Sequence, residues 1–268
     1  DERTLGTKIS KGESVTYPVN RVVILQPSYL PWIGYFEQMV RADQYVFLDN
    51  VQFTRRDWRN RNKIRTNKGW AWLTVPVEQK NHYEQSLKET RIDNSVNWNK
   101  KHREAIRINY SRAPFFETYY PWLESVYDRQ WEFLLDLCYE TTEHIMDILD
   151  ITTPTWKASE LSAEGTKSDF ILNLCREMKA THYLTGGRAR DYLIEEDFNR
   201  ARIELEYQEY DHPEYPQRYS GFESHLSVID LLFNVGDKSR DVIFLNTFYR
   251  DKNIYKSPLV LKPRGIFL

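Results

Sequence analysis

The 268-residue sequence has no uninterrupted apolar run near the ~18 residues that a membrane span requires. It has only two cysteines, Cys138 and Cys175, neither in a Cys-x-x-Cys spacing. A disulfide framework or a thiolate metal site has nothing to build on, and both thiols read as reduced core residues of a cytoplasmic protein. Charge of one sign is also missing. A formal net charge of −2 argues against a whole-surface role in binding nucleic acid or membranes. Residues 1–20 are polar, with no apolar stretch of the signal-peptide kind and no periodicity, so they read as a flexible N-terminal arm. No Walker A loop, no GxGxxG and no GxSxG elbow is present, and the six histidines show no HxxxH or HxH metal spacing.

What the chain does have is aromatic side chains: eight Trp and eighteen Tyr. Their flat apolar faces and polar tips suit stacking on sugars or bases as well as core packing. The β-branched run Val22-Val23-Ile24-Leu25 predicts a strand buried on both faces, followed by a loop, a short helix to Ala42 and a second strand at Tyr45–Leu48. Strand, helix and strand within about 30 residues make a βαβ unit with a parallel sheet. Trp70–Val77 reads as a further strand, and residues 99–150 as a helical section with a break at Ala113-Pro114. Its buried face is marked by Trp122, Val126, Phe133, Leu137, Thr141, Ile145 and Leu149. A helix from Thr166, a strand at His182–Leu184, a glycine turn, a helical stretch at 188–199, an extended stretch at 203–207 and a helix at 227–235 complete the pattern. The expected fold is therefore α/β: one domain over 21–268 with an open, mostly parallel, Rossmann-like or nucleotidyltransferase-like sheet and an inserted helical section.

In such sheets ligands bind at the carboxyl ends of the strands. That rule selects Gln26, Ser28, Tyr29, Trp32 and Tyr35 after the first strand, and Asp49, Asn50 and Gln52 after the second. It also selects Gly186, Gly187 and Arg188, with Arg190, after the strand at 182. Between Thr54 and Trp70 stand seven basic residues and one acidic residue. Arg55, Arg59 and Arg61, interleaved with Trp58 and Asn60, suit a small polyphosphate, because arginine forks hold phosphate oxygens in pairs. Asp49, Tyr35 and His102 are the candidate catalytic groups, and His212 also lies in a polar, aromatic neighbourhood. For each of these the structural alternative is a turn, a solvated face or a hydrogen-bonded core residue.

Taken in order, the segments ILQPSYLPWIGYFEQM, YVFLDNVQFTRRDWRNRNKIRT, WLTVPV, NWNKKH, YLTGGRARDYL and HPEYPQ with LSVIDLLFNVG resemble the WbqC-like family over Arg21 to about Gly236. The resemblance implies a role in making bacterial surface polysaccharide such as O-antigen or lipopolysaccharide. Combined with the arginines, it leads to a transferase that moves an acyl or aminoacyl group onto a nucleotide-activated amino sugar. No cofactor is fixed by these residues; ATP or an acyl or aminoacyl donor is the candidate co-substrate. The N-terminal unit is also similar to that of pantothenate synthetase and related nucleotidyltransferases, with Trp32-Ile33-Gly34-Tyr35 standing where those proteins carry HxGH. This second resemblance implies nucleotide-binding geometry and, as an alternative function, an ATP-dependent adenylate-forming ligase or nucleotidyltransferase. A third possibility is a nucleotide-sugar or glycan binding factor without turnover.

Overall fold

The computed structural model describes residues 18–54, 57–78 and 85–244. Seven strands and eight helices follow in chain order: β1 (Arg21–Leu25), α1 (Ile33–Arg41), β2 (Gln44–Phe47), β3 (Arg61–Thr66), β4 (Gly69–Thr74), α2 (Trp98–Tyr110), α3 (Phe116–Asp128), α4 (Leu134–Ile148), β5 (Thr155–Lys157), α5 (Lys167–Glu177), β6 (His182–Thr185), α6 (Glu195–Arg200), β7 (Glu204–Tyr207), α7 (Val228–Val235) and α8 (Ser239–Phe244). Five strands form one open sheet in the order β5-β2-β1-β6-β7, and every neighbouring pair is parallel. The α/β fold expected from the sequence is the one observed.

The continuous apolar run of β1 has its cause in the two layers around it. Val22 and Ile24 point to one face, where they meet Val46, Tyr183, Ile171 and Leu174 of α5 and Phe198 of α6. Val23 points to the other, against Tyr45, Phe47, Ile33, Phe36 and Met39 of α1. A strand buried on both sides has no polar face to show. Strand order begins earlier than Arg21, since the Asn20 N–H already donates to Thr181 Oγ1 at 2.8 Å, a bond spanning 161 residues of sequence. The rest of the predicted arm, residues 1–17, lies outside the described residues.

The chain runs outward from β1 to β2 and on to β5, then returns across the sheet to lay β6 on the opposite side of β1. That reversal makes the carboxyl ends of β1 and β6 the switch point of the sheet, the place where open α/β sheets bind ligands. The helical section forms three separate helices around the α1 face, with the break at Ala113-Pro114 and a second one at 129–133. The predicted single stripe from Trp122 to Leu149 is thus divided between α3 and α4. The strand predicted at 70–77 is β4, but it pairs antiparallel with β3 in a ribbon outside the main sheet. Ile64 and Leu73 bury the inner face of that ribbon.

The segment between β7 and α7 folds back over the start of α1. Asp230, fully buried in the first turn of α7, holds it there by accepting from Tyr110 Oη (2.8 Å), Tyr215 Oη (2.9 Å) and Gln217 Nε2 (2.9 Å). Burial raises its carboxyl to about 6, against the lowering effect of those three donors. At the start of α1 the indole of Trp32 lies across Gly34, and a Cβ there would stand 2.3 Å from the ring. Only glycine leaves room for it.

Candidate functional site at the carboxyl edge of the sheet

Parallel pairing puts the ends of all five strands on one edge: Gln26 and Ser28 after β1, Asp49 after β2, Ser159 after β5, Gly186 to Arg188 after β6 and Gln208 after β7. Into the middle of this edge comes Arg59, from the turn that precedes β3. Its carbonyl accepts the Tyr29 N–H at 3.1 Å, and the Cys138 thiol lies 3.6 Å from the same oxygen, so the backbone of Arg59 is pinned to the β1 loop. The guanidinium then reaches the end of β1. Nε donates to Gln26 Oε1, Nη1 to Ser28 Oγ at 3.3 Å, and Nη2 faces Asp57 Oδ2 at 3.6 Å. The side chain keeps 22% exposure, which is held orientation with an open face.

Two tyrosines feel the charge of this cation. Burial raises the Tyr192 phenol, in the β6–α6 connection, and Arg59 opposes the rise. Burial also raises Tyr35 on α1, with Arg59 again acting against it. The Tyr35 hydroxyl lies next to that of Tyr45, neither in hydrogen-bonding geometry with a described partner. At neutral pH both phenols keep their protons, so Tyr35 is a buried hydroxyl of α1.

On the β6 side, Gly186 and Gly187 are open: a Cβ added at either meets nothing within 4 Å, and neither has positive φ. Neither chain packing nor backbone strain demands glycine here. Gly186 caps the short helical turn that follows, and the open backbone at both positions leaves room for a ligand to approach closely. Arg188 next to them is exposed, and Arg190 stacks 3.6 Å over the Tyr207 ring. At the β7 end Gln208 donates to the Gly34 carbonyl (2.8 Å) and to Glu37 Oε2 (2.6 Å), locking the edge to α1.

The other predicted residues go elsewhere. Asp49 is buried and both its oxygens are engaged: Oδ1 accepts the Ser159 N–H (2.8 Å), and Oδ2 accepts Ser159 Oγ (2.7 Å) and Tyr139 Oη (3.1 Å). It ties the ends of β2 and β5 to α4. A groove of about 510 Å³ is lined by Asp136, Tyr139, Glu140, Glu143 and Lys157 among others, and neither Asp49 nor Arg59 lines it.

His102 is a core residue. Nε2 donates to the Thr74 carbonyl (3.1 Å), which fixes the tautomer and leaves Nδ1 to accept from Tyr29 Oη (2.9 Å). Tyr29 in turn accepts from Tyr127 Oη at 2.5 Å. Burial lowers the imidazole to about 4, with the Thr74 bond opposing. His102 and the Tyr29 ring therefore hold the β1 loop from beneath and do not line its mouth. Asn60 is likewise structural, donating to the Val75 carbonyl at 2.8 Å. Arg61 stacks 4.2 Å over Trp72 on the outer face of the ribbon, where Trp58 also packs, 5.2 Å from Trp72. Gln52 is exposed at a bridge to Ser86. Trp32 is enclosed by Tyr210, His212 and His225. Arg55 lies outside the described residues.

The structure thus brings Gln26, Ser28 and Arg59 into contact, with Gly186, Gly187 and Arg188 on the neighbouring strand's end. Sequence reasoning missed Asp57, Tyr192 and Gln208. Gln208 had a signal, since it follows the extended stretch at 203–207 and so falls under the same strand-end rule. Among the described residues no group of three or more His, Cys, Asp or Glu is arranged to hold a metal ion, and no helix is long and apolar enough to cross a membrane.

Fold and edge together define an open, doubly wound α/β protein with Gln26, Ser28 and Arg59 joined at its switch point. The chain belongs to the WbqC-like protein family, whose family model matches residues 26–242. It is 37% identical over 227 residues to "Uncharacterized protein Rv1507c" of Mycobacterium tuberculosis, a match covering 84% of this chain and 98% of that protein. No solved structure matches.

Proposed function

We propose that this protein is a cytoplasmic transferase of bacterial surface polysaccharide synthesis that binds a nucleotide-activated amino sugar and places an acyl or aminoacyl group on it. The observation that carries the reading is Arg59, a half-buried guanidinium oriented by Gln26 and Ser28 at the β1/β6 switch point. Its outer edge suits the phosphates of an activated sugar, since a guanidinium pairs two N–H groups with two phosphate oxygens. The unfilled glycines after β6 leave space for the diphosphate, and Arg188 supplies a second cation.

The test is thermal melting against UDP, UDP-sugars, dTDP-sugars and ATP, with Arg59→Ala alongside. A ligand that binds only the folded state raises the midpoint by mass action. A rise with nucleotide sugars that Arg59→Ala abolishes supports the reading. A rise with ATP alone, accompanied by pyrophosphate or phosphate release, replaces it with the ligase. Binding without turnover of any acyl or aminoacyl donor leaves the binding-factor reading in its place.

A further inference from the structure

The basic stretch between Thr54 and Trp70 does more than supply Arg59. Arg65 is spent inside the fold: it is 4% exposed, and its guanidinium donates to the carbonyls of Thr66 (3.1 Å), Gly69 (2.8 Å) and Ser220 (2.7 Å). Those bonds tie the turn of the β3–β4 ribbon to the segment ahead of α7, so the end of the ribbon is held in one attitude. Arg61, Lys63 and Lys68 go to the outer face and the turn, where the phosphate site makes no use of them.

Strand pairing sets what surrounds them. Across the ribbon Arg61 is opposite Thr74, Lys63 opposite Trp72 and Arg65 opposite Trp70, and such partners share one side of an antiparallel ladder. Trp58 joins that side from the preceding turn, 5.2 Å from Trp72, while Trp70 lies 5.6 Å from Trp72. The Lys63 ammonium sits among all three indoles, at 4.3 Å from Trp70, 5.4 Å from Trp72 and 5.6 Å from Trp58. The Arg61 guanidinium lies 4.2 Å over Trp72. Trp70 is nonetheless 44% exposed, and the turn residues beside it, Asn67 and Lys68, are exposed as well. Indoles gathered at a surface mark a place of interaction, because water is a poor neighbour for them.

The arrangement discriminates among partners. A sugar ring or a nucleobase stacks on an open aromatic face. Here cations lie over Trp70 and Trp72, and neighbouring rings are inclined at 56° and 77°, so the face offers no flat platform. It offers ring edges and the cations between them. Tryptophan beside lysine and arginine is the combination that settles at the headgroup level of a bilayer, and the cations match the phosphates of anionic lipids. Glu223 is an acid beside the turn, and it faces Arg65 at 4.0 Å. With a net charge of −2 on the whole chain, the attraction is local to the ribbon.

We propose that the outer face of the β3–β4 ribbon, with its turn, docks this protein on an anionic lipid bilayer. Trp58, Trp70 and Trp72 sit at the headgroup level, and Arg61, Lys63 and Lys68 lie against the lipid phosphates. The contact is peripheral and goes beyond the nucleotide-sugar reading, on which it does not depend.

Co-sedimentation with vesicles tests it, using phosphatidylcholine alone and phosphatidylcholine mixed in equal parts with phosphatidylglycerol. The proteins are the wild type, Trp70→Ala, Lys63→Glu and, at the exposed turn, Lys68→Glu; circular dichroism checks that each folds. The wild type should sediment with the anionic vesicles and not with the neutral ones. Lys63→Glu should weaken that binding about tenfold or more, and Lys68→Glu and Trp70→Ala several-fold each. Added salt should weaken the wild type too, because it shortens the range of the attraction. A wild type that ignores anionic vesicles, or three folded variants that bind as it does, overturns the proposal. Oligouridine binding or self-association that the variants lose, without vesicle binding, gives the face to nucleic acid or to a second copy and overturns it equally. Melting shifts with nucleotide sugars are independent of all these outcomes, so the Arg59 reading stands or falls separately.

Discussion

The Nη1 atom of Arg59 lies 3.3 Å from Ser28 Oγ, so a residue from the turn before β3 closes over the end of the central strand. Two segments 31 residues apart thereby share one cation, and its orientation is fixed before any ligand arrives.

That orientation is the first thing to disturb. Arg59→Lys keeps the charge but loses the fork that reaches Gln26 and Ser28 together. We expect nucleotide-sugar affinity to fall about tenfold, or roughly 1.4 kcal/mol, with the melting temperature in the absence of ligand nearly unchanged. Isothermal calorimetry measures the first and calorimetric melting the second.

The glycines separate binding from packing. Gly186→Ala and Gly187→Ala meet no neighbour within 4 Å, so they should leave stability unchanged or raise it by about 0.5 kcal/mol while weakening nucleotide binding. Gly34→Ala drives a methyl into the Trp32 indole and should cost roughly 1–3 kcal/mol. Chemical denaturation of the three variants distinguishes the two behaviours.

Asp49 should behave as an anchor. Asp49→Ala strands the Ser159 N–H, the Ser159 hydroxyl and the Tyr139 hydroxyl, at a cost of roughly 2–4 kcal/mol, and Asp49→Asn should cost less. Urea unfolding gives the ranking. An alanine variant as stable as the wild type would remove the anchoring role.

Two buried groups titrate against each other. The Asp230 carboxyl is raised from 3.8 to about 6, so the folded state holds its proton more tightly than the unfolded chain. Its contribution is full below pH 3.8 and is lost as pH rises through 6. His102 is lowered from 6.5 to about 4, so its contribution is full above pH 6.5 and is lost as pH falls through 4. Each shift is worth on the order of 3 kcal/mol, with opposite sign over nearly the same window. Between pH 4 and 6 their slopes nearly cancel. In Asp230→Asn, stability should fall steeply on acidification across that window; in His102→Gln it should instead rise. Urea midpoints at pH 4.5 and 7 for the three proteins read this directly.

The main sheet was legible in the sequence wherever burial on both faces forces an apolar run, as in β1 and β2. It was not legible at β5, because Thr155 and Trp156 are exposed on an edge and only the pairing with Tyr45 and Val46 makes them a strand. Strand β3 was hidden because its inward residues include Asn62, which is buried only by donating to the Leu30 carbonyl at 2.6 Å. His102 was legible and misread: Trp98, His102, Ile106 and Tyr110 recur every four residues and are all buried, marking a helix face turned to the core. At the edge, the strand-end rule found Gln26, Ser28 and the Gly186 pair. It could not separate Arg59 from Arg61, because only the turn at 57–60 sends one arginine to the end of β1 and the other onto Trp72.

The bond from Asn20 to Thr181 carries a consequence for biogenesis. The central strand cannot find its second neighbour until some 160 further residues have been made, which at ribosomal speed takes about 8–30 seconds. Through that interval Val22, Val23 and Ile24 lack half their cover, and the nascent chain offers an apolar, hydrogen-bond-hungry segment to whatever is nearby. Production of this protein should therefore respond to chaperone supply and growth temperature more strongly than the stability of the finished fold suggests.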